Sequence, residues 1–148
     1  AVVSGSMEHD GSFDSWWQSQ NALYDDYNIT KEQFSECSYK NGFNKGDILF
    51  VVKASPDKLK VGDIIIFNAN QRNPVIHRII RINEGPEGRT FSTMGDNNWG
   101  QLTFEQNIAE DMLVGRASFK LAPYLGWIKL AFFDWKKQPG ERGRCHEN

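Results

Sequence analysis

The chemistry this chain can offer centres on one short run, Ser4-Gly5-Ser6, and on its three histidines. A serine at its ordinary pKa is a weak nucleophile. It needs a base to take its proton and donors to hold the oxyanion that forms on an attacked carbonyl. Ser6 follows Gly5, whose missing side chain lets another backbone approach closely, and Ser4 stands two residues upstream. Residues two apart in an extended chain face the same side, which places the Ser4 hydroxyl beside that oxyanion. Of the histidines, His146 belongs to a polar tail, and His9, three residues from Ser6, points away from it along an extended chain. His77 lies inside the apolar run Val75-Ile76-His77-Arg78-Ile79-Ile80, where a polar ring needs a reason, and it is the candidate base. Asp96, in Gly95-Asp96-Asn97, is the candidate carboxylate to fix the ring's tautomer. Glu105, Glu110 and Asp111 are alternatives to it, and so is a serine–histidine dyad with no third member.

The elements that must position these groups are mostly strands. Asp47–Lys53 and Asp63–Phe67 are apolar, β-branched runs, each introduced by Gly-Asp, with the turn signal Ser55-Pro56-Asp57 between them. Asn70–Pro74 reads as a turn and Val75–Ile82 as a strand; Glu84–Gly88 is a further turn, followed by strands over Thr90–Met94 and Met112–Lys120. No sustained helical period appears in this half, so the fold class is mainly β, an antiparallel sheet with a short helical insertion near the N-terminus. That insertion covers residues 10–44. Phe13, Trp16, Trp17, Ala22 and Leu23 follow helical spacing, which predicts a helix over about Asp14–Tyr24. Thr30 with Gln33 has the form of a capping box and predicts a second helix from Lys31 to about Cys37. The Trp pair suits either core packing or a membrane surface, where amphipathic indoles settle.

At 148 residues the chain is a single domain, long enough to bury a core. Its net charge of −2 leaves no basic footprint for nucleic acid. Cys37 and Cys145 lack metal-ligand spacing, and their pairing is open. No apolar run is long enough to cross a bilayer. The opening Ala1-Val2-Val3, without an initiator Met, reads as the continuation of a longer chain. Residues 123–135 form an apolar, aromatic tail that suits the stub of a membrane helix, an interfacial segment or a core-covering element; together with Phe13–Tyr27 it is expected to touch lipid, and residues 136–148 are expected to be disordered.

Five motifs in order resemble those of type I signal peptidase, on its archaeal and endoplasmic-reticulum branch: Ser4-Gly5-Ser6-Met7-Glu8, Lys45-Gly46-Asp47-Ile48-Leu49, Gly62-Asp63-Ile64-Ile65, Val75-Ile76-His77-Arg78-Ile79-Ile80 and Gly95-Asp96-Asn97-Asn98. Bacterial members carry lysine in the strand where this chain has His77, which places it with the histidine-using branch. The resemblance implies a membrane-associated serine endopeptidase, with no metal or cofactor, that removes signal peptides from exported preproteins. Its catalytic face would be extracytoplasmic or lumenal, in contact with the lipid surface and the protein translocation machinery, and this chain would be a fragment lacking its N-terminal anchor. The resemblance makes Ser6 the nucleophile and His77 the general base, with the Ser6 N–H and the Ser4 hydroxyl as oxyanion hole. An extended substrate would lie beside Val2, Val3, Val75 and Ile76 and present small side chains to shallow pockets.

Three departures accompany the resemblance. The family usually has proline where His9 stands. It has few residues before the next Gly-Asp, where this chain carries His9–Asn44. The family also places a second aspartate six positions after that of Gly-Asp-Asn, and this position is Leu102 here. Two other readings share the β scaffold. A self-cleaving repressor-type peptidase would need a lysine base, and a non-catalytic binding module would not need the serine and histidine.

Overall fold

The structure, a computed structural model, describes residues 1–121. Six strands form one antiparallel sheet: β1 (Ile48–Val52), β2 (Ile64–Phe67), β3 (Val75–Gly85), β4 (Gly88–Met94), β5 (Ile108–Ala109) and β6 (Leu113–Leu121), in the order β1-β6-β2-β3-β4-β5. β2 is buried at every position, which is why its sequence is a continuous apolar run without polar alternation. Residues on its two faces feed different clusters. Ile65 and Phe67 pack with Leu59, Ile79, Phe91 and Ile108, and Ile64 packs with Val2, Met7, Phe43, Leu49 and Ala117. β3 runs three residues past its expected end, to Gly85, and turns tightly into β4, with Gly88 at φ 116°. β5, two residues long, carries too little pattern to be seen in the sequence.

Residues 10–44 fold onto the sheet. Helix α1 (Phe13–Asp25) starts at Ser12, whose hydroxyl accepts the Ser15 N–H at 3.2 Å, and Asp14 complements the dipole of the first turn. Helix α2 (Lys31–Ser35) has the expected capping box between Thr30 and Gln33 and ends two residues short of Cys37. Trp16, Trp17, Tyr24 and Phe34 form a third cluster with Ile29 and with Ile80 and Met94 of the sheet. Each such ring buries on the order of 150–250 Å², about 4–6 kcal/mol of transfer free energy as an upper bound, which secures helices too short to persist alone. The expected contact of Trp16 and Trp17 with lipid is therefore corrected. Their exposures are 2% and 7%, because the rings cover the sheet face that carries Arg78 and Ile80. The other part of that expectation, the 123–135 tail, lies outside the described residues, as do Cys145 and His146. Among the described residues no helix is long and apolar enough to cross a membrane.

Candidate active site

Ser6 sits in a turn, not in an extended strand: the Glu8 N–H donates to Gly5 O at 3.1 Å. The turn is fixed from several sides. Asn97 donates through its backbone N–H to Ser6 O at 2.8 Å and through Nδ2 to Gly5 O at 3.0 Å. Phe43 N–H donates to Met7 O at 3.0 Å, and Val2 is tied through both its main-chain groups to Gly46 and Asp47. The turn still brings the two hydroxyls together, with Ser4 Oγ 3.2 Å from Ser6 Oγ.

His77 faces this turn from β3. Its Nε2 lies 3.0 Å from Ser6 Oγ, and its Nδ1 is hydrogen-bonded to Glu105 Oε1. Glu105 is fully buried. Its Oε1 also accepts from Thr93 Oγ1 of β4 at 2.9 Å, and its Oε2 accepts the Leu102 N–H at 2.9 Å. An ionised carboxylate only accepts, so Nδ1 carries the proton and Nε2 presents its lone pair to the Ser6 hydroxyl. Gly95 closes over the ring: a Cβ there would stand 2.9 Å from His77 Nε2.

The structure does not bring Asp96 to His77. Its carboxylate accepts from Arg78 Nε and Nη2 at 2.9 and 2.7 Å, from His9 Nε2 at 2.8 Å and from Tyr24 OH at 3.1 Å. Burial by itself raises the Asp96 pKa; the charge and hydrogen bonds of Arg78, joined by His9, outweigh it and hold the carboxyl below its ordinary value. Burial, together with the Asp96 charge, pushes the Tyr24 phenol well above 10, so it stays a donor. The remaining guanidinium N–H groups of Arg78 reach Ser38 O, Gly62 O and Tyr39 O, each at 2.9 Å. Every donor of this buried cation is paired. Glu110 accepts the Arg89 N–H at the far end of β4, and Asp111 is exposed. Glu105, kept in the sequence as one of several alternatives, is thus the acid that meets the histidine. The pointer to it was the gap at Leu102, three residues away on the same turn. Arg78 and His9 had no role assigned from the sequence; a charged residue in the middle of an apolar strand was the available signal for the first.

A cleft of about 450 Å³ opens in front of Ser6 and His77, and Val2, Val3, Val75 and Ile76 all line it, with Leu102 and Phe104 at its wall. Val2 is buried, whereas Val3 is half exposed. β4 pairs with β3 from Arg78 onward, so Val75 and Ile76 have a partner strand on the β2 side alone among the described residues. Among the described residues no group of His, Cys, Asp or Glu is arranged to hold a metal ion.

Serine, histidine and buried carboxylate in series, on an antiparallel β scaffold, have the arrangement of serine–histidine–acid sites. The chain is 35% identical over 107 residues to the signal peptidase complex catalytic subunit SEC11C of Homo sapiens, covering 68% of this chain and 55% of that protein. It is 37% identical over 62 residues to the signal peptidase complex catalytic subunit SEC11 of Scheffersomyces stipitis, covering 41% of this chain and 37% of that protein. With the signal peptidase complex catalytic subunit sec11 of Neurospora crassa it shares 30% identity over 100 residues, 63% of this chain and 58% of that protein. No family model matches the chain. By these relatives it belongs to the type I signal peptidases, on the archaeal and endoplasmic-reticulum branch, and it spans about half the length of the curated relatives it matches.

Proposed function

We propose that this chain is the catalytic domain of a serine endopeptidase that removes signal peptides from preproteins, with Ser6 as nucleophile, His77 as general base and Glu105 as the carboxylate behind it. The observation that carries the reading is the unbroken hydrogen-bonded series Ser6 Oγ, His77 Nε2, His77 Nδ1, Glu105 Oε1. Ser6 Oγ attacks the scissile carbonyl carbon as its proton passes to His77 Nε2, and Glu105 stabilises the imidazolium. The oxyanion is held by the Ser6 N–H and by the Ser4 hydroxyl, which swings from Ser6 when substrate enters. Collapse breaks the C–N bond, with the His77 proton going to the leaving amine, and leaves an acyl group on Ser6. Water, deprotonated by the same nitrogen, then releases the acid and restores the serine.

The substrate lies extended along the open edge of β3 at Val75–Ile76 and along Val3, paired through its main chain. Small side chains at the positions one and three before the bond suit the apolar wall of the cleft. The same reading puts the domain on the extracytoplasmic or lumenal face of a membrane, beside lipid and the translocation machinery. Cleavage of a preprotein by the purified chain in detergent, beside Ser6→Ala and His77→Ala, is the test. Each variant is expected to lose about 10³–10⁶-fold in rate, and the double variant little more, because the two residues act as a unit. Substantial activity in Ser6→Ala would sink the proposal. Substrates with Phe or Lys at the two small positions are expected to be refused, and equal turnover of all of them would remove the specificity claim.

A further inference from the structure

The excursion from His9 to Asn44 contributes nothing to the series Ser6, His77 and Glu105. It nevertheless supplies three hydrogen bonds to one buried residue beside the nucleophile, Asp96. We propose that His9, with Trp16 and Tyr24 of α1, forms a clamp that positions Ser6 through the 95–98 loop. The proposal rests on the reading of Ser6 as nucleophile.

Asn97 grips the turn by its bonds to Ser6 O and Gly5 O, and Asp96 N–H reaches Met7 Sδ at 3.4 Å. Whatever holds Asp96 therefore holds Ser6. Three donors from the excursion converge there: His9 Nε2 and Tyr24 OH on the carboxylate, and Trp16 Nε1 on the Asp96 carbonyl at 3.0 Å. The His9 ring stacks on Trp16 with centroids 3.7 Å apart and planes 3° apart, so the indole aims Nε2 at Asp96. The excursion also closes against its own start. Gly42 has φ 63°, and a Cβ there would lie 2.1 Å from Met7 O and 2.5 Å from the His9 ring. Ser38 O and Tyr39 O, from the same excursion, hold Arg78, the neighbour of His77.

Packing alone does not account for this arrangement. Burying polar donors costs free energy unless each is paired, and apolar residues would fill the same volume without that demand. Here the donors hold the nucleophile's loop, while the Ser38 and Tyr39 carbonyls accept from Arg78 on the base's strand. Local opening of the 95–98 loop would release the Asn97 bonds and let Ser6 drift from His77. Each clamp bond raises the free energy of that opening.

The test compares Tyr24→Phe, Trp16→Phe and His9→Ala with the wild-type chain, and adds His9→Gln, whose Nε2 can still donate to Asp96. Ile108→Ala, in the cluster with Leu59 and Phe91 on another part of the sheet, serves as the control that lowers stability without touching the clamp. Hydrogen exchange at the Asn97 amide is read first, because it reports the bond to Ser6 O without relying on activity. It is expected to quicken about tenfold in the three clamp variants, the factor for losing one hydrogen bond. Preprotein kcat, measured well below each variant's Tm, is expected to fall about 10- to 100-fold with KM little changed, as for a misplaced reacting group. His9→Gln should recover most of both effects, and Ile108→Ala should show neither. Wild-type Asn97 exchange and kcat in all three variants would overturn the clamp, as would an equal kcat loss in Ile108→Ala. A Ser6→Ala chain that still cleaves preprotein would remove the nucleophile instead, while the exchange data would still decide whether the excursion holds the turn.

Discussion

Two buried acids lie near the site, and their partners separate their roles. Glu105 accepts from the ring, whereas Asp96 is saturated by Arg78, His9 and Tyr24. Glu105→Gln should keep the fold and lower kcat by up to about 10⁴-fold, because the amide no longer enforces the tautomer that offers Nε2 to Ser6. Asp96→Asn should show its main effect in stability and a smaller one in rate. Steady-state cleavage with a denaturation curve for each variant would check the pair, and a reversed order would return the catalytic acid to Asp96. Gly95 offers a second test at the same scale. Its added Cβ would stand 2.6 Å from Asn98 Nδ2 and 2.9 Å from His77 Nε2, so the ring or the loop must shift. Gly95→Ala is expected to lose about 10²-fold in kcat, the scale of effect that follows from a displacement near 1 Å. An unchanged rate would mean that the loop absorbs the methyl group without moving the histidine.

The helical excursion is the element whose character changed most between pattern and structure. Its aromatic face looks like a membrane-contact surface in one dimension and is core in three. Trp16 contacts Trp17, Tyr24 and Phe34 at centroid distances of 6.0, 5.8 and 4.9 Å. Trp17→Ala should cost about 3–5 kcal/mol of stability, as for other buried aromatic residues cut to alanine. Urea denaturation measures the loss, and a cost under about 1 kcal/mol would place that ring at the surface after all. The cap of α2 is a smaller item: Thr30→Ala should cost about 1 kcal/mol, since one hydroxyl is lost to the Gln33 N–H.

Across the whole molecule, the Asp96–Arg78 pair joins the sheet, the excursion and the loop beneath Ser6, so it links global stability to pH. The Asp96 pKa is lowered in the folded chain, because Arg78 and His9 outweigh the effect of burial. A depressed carboxylate contributes stability fully above its unfolded pKa, about 3.9, and loses it as pH falls through the folded value. The wild-type chain should therefore weaken below about pH 4, apart from the contribution of its other acids. Asp96→Asn should be less stable by about 3–5 kcal/mol at pH 7, the range for breaking a buried pair. That deficit should narrow on acidification, as the wild-type carboxyl itself becomes neutral. Urea midpoints for both chains between pH 7 and pH 2 give the comparison, and a gap constant over that range would show that the pair contributes nothing through its charge.

Much of this arrangement is legible in the amino-acid sequence alone. Apolar β-branched runs bounded by Gly-Asp and turn signals mark β1 to β4, Thr30 with Gln33 marks a helix start, and ordered motifs point to Ser6 and His77. All of these are local signals, set by side-chain period, capping and backbone preference within a few residues. The choice among four acids was not local. Ser6 and His77 meet across 71 residues of chain, and His77 and Glu105 across 28. Which carboxylate reaches the ring depends on how β3 registers with β4 and on how the turn after Leu102 folds over Thr93. Leu102 offers no carboxylate, and Glu105, three residues on, meets the ring with one oxygen and accepts the Leu102 N–H with the other. The fate of the tryptophans was undecided in the same way. Helical spacing states which face is apolar, while only the tertiary fold states what covers it, here Ile80 and Met94 of the sheet in place of a bilayer.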